Sequence, residues 1–173
     1  MASITSITDL FIHELSDIYS AEKQLTRALP RLAHAASDAE LSGAFQDHAE
    51  ETQGQVDRID RIVELLDIRL KRMKSVAMEG LIDEGRDMID SIAKGPLRDA
   101  ALIGGAQKVE HYEMAAYGTL CALARHLGYR DAIPLLEETL NEEKQTDKKL
   151  TAIAEQGGKN EAATGQPAKR TAT

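Results

Sequence analysis

The sequence predicts an all-α protein in which two helical hairpins form a four-helix bundle and a further helix crosses between them. Of the 173 residues, 42% are hydrophobic and 29% are charged, but only 3% are aromatic and none is Trp. This composition is typical of helices built on Leu, Ile, Ala and Met. Apolar residues recur at helical spacing in four long segments and one shorter segment. Capping residues, Gly and Pro separate these segments.

Composition and charge argue against several classes of protein. The net charge of −8 does not suit generic binding to nucleic acid or to anionic membranes. No segment approaches the roughly 20 apolar residues of a membrane span, and the N-terminal segment lacks the basic and apolar regions of a signal peptide. The single Cys121 excludes an intrachain disulfide framework and fits a reducing cytosol. We therefore expect a cytoplasmic protein with neither nucleic acid nor membrane as a partner.

The first helix is predicted to begin at Ser6, which forms a capping pattern with Asp9. Glu22 lies at the centre of its apolar stripe, within about 20° of the flanking apolar residues on a helical wheel. Pro30 is expected to kink the helix or to end its regular part. The stripe consists of Phe11, Leu15, Ile18, Leu25 and Leu29.

The second helix is predicted to begin at Ser37, which forms a capping box with the Glu three residues later. His48 lies at the centre of the apolar stripe, Gln55 lies close to it, and Glu51 flanks it at about 60°. Glu50 points to the opposite, solvated face. The stripe consists of Leu41, Phe45, Ile59, Ile62 and Leu66.

A shorter helix over 75–93 is predicted to form the crossover, and Gly95 and Pro96 end it. The next helix should run from Pro96, a favourable first helical position, to a stop at Gly128. On that helix Glu110 is central to the inner face and Glu113 flanks it at about 60°. His111 should point outward.

The last helix is predicted to begin near 131–134 and to end at Gly157 and Gly158. Glu143 and Asp147 share its apolar stripe with Leu136, Leu140, Leu150 and Ala154. The polar residues beyond it have no apolar periodicity. We therefore predict one bundle domain over 1–156 and a disordered tail over 157–173.

The inward acids are predicted to meet at one level of the bundle. Glu22, Glu51, Glu110 and Glu143 each lie roughly 18–24 Å along their helices, at 1.5 Å per residue. The positions midway between Glu22 and Glu51 and between Glu110 and Glu143 fall near the turns at Ser37 and Gly128. Since residues equidistant from a tight turn lie level in an antiparallel pair, each hairpin should place two carboxylates face to face.

Several buried carboxylates cannot all stay ionised without a compensating charge. Bound cations are one solution, and hard oxygen ligands with some imidazole favour a pair of Fe or Mn ions. Two alternatives remain open at this point: a metal-free or vestigial site, and a network of ion pairs and partly protonated acids. The candidate metal ligands are Glu22, His48, Glu51, Glu110, Glu113, Glu143 and Asp147.

The chain also resembles the YciE/YciF family of bacterial ferritin-like proteins over roughly residues 6–155. The similarity is carried by FIHELSDIYSAEKQLTRALPRLA, HAEETQGQVDRI, KRMKSVAMEGLIDEG, RDAALIGGAQKVEHYEMAAYGTL and LGYRDAIPLLEETLNEEKQTDKKL. The resemblance implies a ferritin-like bundle with one long crossover, a homodimer, a di-metal centre and a role in stress responses.

Ferritin-like di-iron proteins typically use a single Glu on each of two helices and Glu-x-x-His on the other two. Glu22 and Glu110 occupy the single-Glu places, and Glu113 resembles the additional acid of rubrerythrins. The paired places differ, because Gly54 follows Glu51 by three residues and Thr146 follows Glu143 by three.

Two functions are therefore expected as alternatives. The first is a di-metal protein that handles peroxide, dioxygen or iron. The second is a dimeric, non-enzymatic stress protein whose metal site is structural or vestigial.

Overall fold

A computed structural model describes residues 4–157, which form five helices and no strand. The helices are α1 (Ile7–Ala35), α2 (Ala39–Leu66), α3 (Val76–Ser91), α4 (Pro96–Leu127) and α5 (Ile133–Gly157). The predicted all-α fold is confirmed. The part of the predicted tail beyond residue 157 lies outside the described residues. None of the five helices is long and apolar enough to cross a membrane.

The four long helices form the bundle as two hairpins. The most extensive contacts are those of α1 with α2 and of α4 with α5, and the hairpins meet where α1 packs on α4 and α2 packs on α5. The Lys149–Asp47 and Arg58–Glu138 pairs show that α2 and α5 run antiparallel. Helix α3 lies outside this bundle, against α1 and α4. This is the ferritin-like arrangement with one crossover that the sequence predicts.

Most helix ends follow the predicted signals. Ser6 caps α1 and forms a capping box with Asp9. Pro96 lies in the first turn of α4, and Gly128 follows the helix with a φ of 72°, in the left-handed region that favours Gly. These residues lie where helices begin or end because they satisfy or remove backbone groups that have no partner within the helix.

One predicted helix end is wrong. Asp38, not Ser37, caps α2, and its carboxylate accepts a hydrogen bond from the backbone N–H of Leu41. Of the two effects predicted for Pro30, an end of the helix is not found, since α1 continues through it to Ala35, and a kink stays a prediction. Pro30 has no N–H, so the backbone carbonyl four residues earlier lacks its usual amide partner. Because Pro30 is exposed, water can solvate that carbonyl instead.

The crossover is attached to α1 through Ser75, which is fully buried at the start of α3. Its backbone N–H donates to Ser20 Oγ at 3.0 Å, and its carbonyl accepts from Gln24 Nε2 at 3.1 Å. Its hydroxyl lies 3.0 Å from both Asp17 Oδ2 and Tyr112 Oη. Ser75 therefore joins α3 to α1 and α4 by polar contacts, whereas Met78 is the residue of α3 that is buried in the core.

Candidate metal centre

Each long helix contributes an ionisable side chain to one buried site in the middle of the bundle. We call these residues the His/Glu cluster: Glu22 of α1, His48 of α2, Glu110 and Glu113 of α4, and Glu143 of α5. His48 is 3% exposed and the four Glu residues are fully buried. The apolar stripes of the sequence bring these residues inward because each occupies a position that otherwise belongs to the core.

Four members of the cluster lie close enough to share an ion. One ligand atom from each of His48, Glu110, Glu113 and Glu143 lies within 4.8 Å of the others. His48 Nδ1 lies 3.4 Å from Glu110 Oε1, and His48 Nε2 lies 3.6 Å from Glu143 Oε2. The imidazole therefore stands between carboxylates of α4 and α5.

Many polar atoms of this site have no hydrogen-bond partner among residues 4–157. They are Glu22 Oε2, His48 Nε2, Gln55 Oε1, both carboxylate oxygens of Glu110 and of Glu113, and Glu143 Oε2. Leaving a buried polar group unpaired costs about 1–3 kcal/mol, and more when the group is charged. A site with this many unpaired oxygens at its centre requires protons or a cation.

The electrostatics of the protein alone favour protons. Burial, followed by repulsion from Glu143, raises the pKa of Glu110 to about 11. Burial and neighbouring carboxylates also raise the pKa of Glu22 and of Glu113 well above the ordinary value for Glu. A bound cation acts in the opposite direction, because metal ligation needs the ionised carboxylate.

The donor atoms of the cluster fit Fe or Mn. Carboxylate oxygens are hard ligands, and a single imidazole nitrogen is compatible with both metals, whereas softer ions prefer thiolate and thioether ligands, which are not among the members of the His/Glu cluster. One ligand atom from each of three of the Glu residues lies within 4.8 Å of the others and of a nitrogen of His48. The residues present therefore fit a metal centre by donor chemistry and by position.

Two polar neighbours orient the acids. Tyr117 is buried and its hydroxyl donates to Glu22 Oε1, which holds that carboxylate from α4. Gln55 Nε2 donates to Glu143 Oε1 and, at 3.1 Å, to Glu142 Oε2. Gln55 of α2 therefore holds two carboxylates of α5.

Arg58 and Glu142 extend this network to the surface. The side chain of Arg58 is only 19% exposed, and its guanidinium binds both carboxylate oxygens of Glu142. The spacing of Gln55 and Arg58 on α2, opposite Glu138 and Glu142 on α5, is the signal in the sequence that indicates this contact.

The structure separates two predicted ligands from the inner group. Glu51 is exposed, and its Oε2 accepts a hydrogen bond from Thr146 Oγ1 at 3.4 Å. Asp147 is half-buried, with its Oδ1 3.6 Å from His111 Nδ1 and 3.4 Å from Gln107 Nε2. Glu22, His48, Glu110, Glu113 and Glu143 are brought together as predicted, with Gln55 beside them.

Comparison with known proteins gives the same picture of the fold. Residues 6–163 match the family described as "Domain of unknown function (DUF892)". The chain is 61% identical to Protein YciF of Escherichia coli (strain K12) over 153 residues, which cover 88% of this chain and 92% of that protein.

Two solved structures are similar over nearly their full length. The crystal structure of the E. coli stress protein YciF has a TM-score of 0.89 and 59% identity, over 91% of this chain and 99% of that one. YcfI of Rhodopseudomonas palustris has a TM-score of 0.85 and 41% identity, over 88% of this chain and 97% of that one.

Proposed function

Because the chain belongs to the DUF892 family and is similar to the E. coli stress protein YciF, we propose that it is a stress-associated protein that binds two Fe or Mn ions in the His/Glu cluster. The observation that carries the proposal is the set of buried, unpaired carboxylate oxygens converging from α1, α4 and α5 beside His48. The first candidate activity is the handling of peroxide, dioxygen or iron.

The residues of the cluster would each have a definite part in such a site. Glu110, Glu113 and Glu143 supply negative charge and ligand oxygens, and His48 supplies one nitrogen. Tyr117 orients Glu22, and Gln55 orients Glu143. Fe or Mn held there would supply one-electron redox chemistry toward a small oxidant. The surrounding apolar core excludes bulk water from the acids.

A second function is favoured by the composition of the site. His48 is the only imidazole in the inner group of four, and Glu51 and Asp147 lie outside that group. Di-iron carboxylate proteins of the ferritin-like fold have more His ligands, because two of their helices each carry a Glu-x-x-His motif. The second candidate is therefore a non-enzymatic stress protein whose bound metal stabilises the bundle.

Metal analysis tests the shared part of both functions. Protein purified without chelator should contain about two Fe or Mn ions per chain, the usual stoichiometry of a bimetal carboxylate site. The double substitution Glu110→Ala with Glu143→Ala should abolish binding, whereas Glu50→Ala, on the exposed face of α2, should leave it intact. Absence of metal, with a melting temperature indifferent to chelator, would contradict both candidates.

Redox titration separates the two candidates. The metal-loaded protein is reduced without oxygen and then mixed with peroxide or dioxygen while its absorbance is followed. A metal centre that reoxidises within the experiment supports peroxide or dioxygen handling, and one that does not change supports the structural role.

A homodimer is the remaining part of the proposal, and it rests on the family resemblance. Light scattering on the eluted full-length protein should give twice the chain mass of 18.9 kDa. A mass of one chain across the concentration range would contradict it.

A further inference from the structure

A cavity lies outside the His/Glu cluster, between the crossover helix α3 and the bundle helices α1 and α4. Its volume is about 320 Å³, at the lower end of the roughly 300–1,000 Å³ typical of small-molecule sites. Its walls are mainly apolar, formed by Leu25, Leu32, Leu81, Ile82, Ile89 and Val109. We call it the α3 cavity.

Small residues leave this space open. Gly85 of α3 and Gly105 and Ala106 of α4 line the α3 cavity. A Cβ added to Gly105 would meet no heavy atom within 4 Å outside its own helix, and one added to Gly85 would meet only Leu32 Cδ2, at 3.9 Å. The cavity can therefore accept additional apolar atoms without displacing its walls.

Basic side chains surround the mouth of the cavity. Arg27, Arg31 and Arg86 line it. An adjoining cleft, which shares Arg31, Arg86 and Ile89 with it, adds further basic side chains and the single acid Asp90. The added basic residues are His34, Lys94 and Arg98. This concentration of positive charge contrasts with a chain whose net charge is −8.

Two of these arginines are available to bind an anion. Arg27 and Arg31 are exposed and form no salt bridge with any residue from 4 to 157. Arg86 pairs with Asp83 at 2.7 Å, but its side chain is still 56% exposed. Guanidinium groups suit carboxylate and phosphate because their planar N–H groups bind two oxygens at once.

We propose that the α3 cavity binds a single-chain amphiphile with an anionic head group. The alkyl chain lies among the apolar walls, and the carboxylate or phosphate lies at the mouth with Arg31 and Arg86. Apolar walls alone would fit a neutral hydrocarbon equally well, and the basic mouth is what selects the anion. The inference does not depend on the metal centre, because none of the residues lining the cavity belongs to the His/Glu cluster.

Calorimetry on the full-length protein tests the ligand class with three probes that share a tail of the same length. Dodecanoate and dodecyl phosphate, each below its micelle concentration, should bind saturably at one per chain. Dodecyltrimethylammonium, which has the same tail and a cationic head, should bind at least about tenfold more weakly. The ratio between the first two affinities tells whether the mouth prefers carboxylate or phosphate.

Adjacent glycines of α4 provide a matched pair of variants. Gly105→Leu should fill the cavity and weaken dodecanoate binding at least about tenfold. Gly104→Leu makes the same change one residue away, at an exposed position that does not line the cavity, and should bind as the unchanged protein does. Circular dichroism confirms that both variants are folded, and both gain helix propensity from the loss of Gly.

The basic mouth is tested in the same way. Arg31→Gln with Arg86→Gln should weaken dodecanoate binding about tenfold, whereas Arg61→Gln, on the exposed face of α2, should not change it.

Three results would overturn the proposal. They are equal binding of the cationic probe, equal loss of binding in both glycine variants, and absence of saturable binding. A fourth combination of results would also overturn it. If the unchanged protein does not bind dodecanoate, and light scattering shows a changed mass for Gly105→Leu but not for Gly104→Leu, the α3 cavity is a contact between copies of this chain. Repeating the titration with chelator separates this proposal from the metal centre, since binding should be unchanged.

Discussion

Three buried acids of the His/Glu cluster, Glu22, Glu110 and Glu113, hold their protons to higher pH in the metal-free fold than in the unfolded chain, because their pKa values are raised. Glu22, Glu110 and Glu113 have their pKa raised, first by burial, so the folded state retains protons that the unfolded state releases above its value of 4.5. Their contribution to stability is therefore fully present below pH 4.5 and is lost as the pH rises toward the folded pKa.

We expect the free energy of unfolding of the metal-free protein to fall between pH 5.5 and pH 8. The slope should be about 1.4 kcal/mol per pH unit for each additional proton held by the fold. Urea denaturation with chelator present measures it. Saturating Mn²⁺ should flatten or reverse the slope, because protons compete with the metal for the same oxygens. A stability that rises with pH in chelator would contradict the assignment of the protons.

Replacing one of these acids by its amide should separate stability from metal binding. Glu110→Gln removes the cost of keeping a carboxyl protonated at pH 8, so the metal-free variant should be more stable than the unchanged protein by at least about 1 kcal/mol. The same variant should lose most of its stabilisation by Mn²⁺. Thermal unfolding with and without Mn²⁺ measures both effects, and Glu50→Gln serves as the exposed control. A destabilised metal-free variant would show that the carboxyl is ionised and paired in the fold.

Helical periodicity predicts the central members of the cluster but not those at its edges. Glu51 and Glu113 both lie about 60° from the centres of their stripes, yet Glu51 is exposed and Glu113 is fully buried. The difference arises from the neighbouring helices. Helix α4 packs against α1, α3 and α5, so both its flanks are covered, whereas α2 packs mainly against α1 and α5. A wheel drawn for one helix does not contain this information.

At the scale of the elements, Asp99 connects the two hairpins. Its carboxylate accepts hydrogen bonds from the backbone N–H of Ser37 at 2.7 Å and of Asp38 at 3.0 Å. It thus joins the first turn of α4 to the link between α1 and α2. Asp99 is buried, so its carboxylate is protected from competition by water.

Removal of this carboxylate should destabilise the fold. Asp99→Ala leaves two backbone donors without their partner and should lower the free energy of unfolding by about 1–3 kcal/mol. Asp99→Asn retains one acceptor oxygen and should lose less. Asp87→Ala, on the exposed face of α3, is the matched control. Equal effects of Asp99→Ala and Asp87→Ala in urea denaturation would show that the two hydrogen bonds add nothing.

The same contact explains why the capping box predicted at Ser37 does not form. A capping box needs the backbone N–H of Ser37 as a donor to the Glu three residues later, but this N–H is directed to Asp99, which lies 62 positions further along the chain. Asp38 is left to cap the helix. Local signals sufficed at Ser6, Pro96 and Gly128, where the hydrogen bonds that end the helices join neighbouring residues of the described part of the chain.

At the scale of the whole molecule, the bundle could be predicted because its hairpins are joined by short links and its polar core positions recur at equal depth. The α3 cavity could not be predicted. It depends on how closely the crossover approaches α1 and α4, where Ser75 and its polar partners act together with the apolar residues of α3 that pack on the core. Gly85 and Gly105 are recognisable as cavity-lining residues only once α3 is positioned.

Hydrogen exchange should divide the molecule into two parts of different stability. Met78 is the one buried residue of α3, whereas α1, α2 and α4 each bury residues along most of their length. The amides of α3 should therefore exchange through local opening, faster than those of the bundle, when peptides are followed by mass spectrometry.

Mn²⁺ at a hundredfold excess over its dissociation constant should stabilise the bundle by about 2.7 kcal/mol and slow the most protected amides of the bundle by about a hundredfold. The exchange of α3 should not change, because α3 contributes no residue to the His/Glu cluster and can open while the metal stays bound. Equal slowing of α3 and the bundle would mean that the crossover opens only when the whole bundle unfolds.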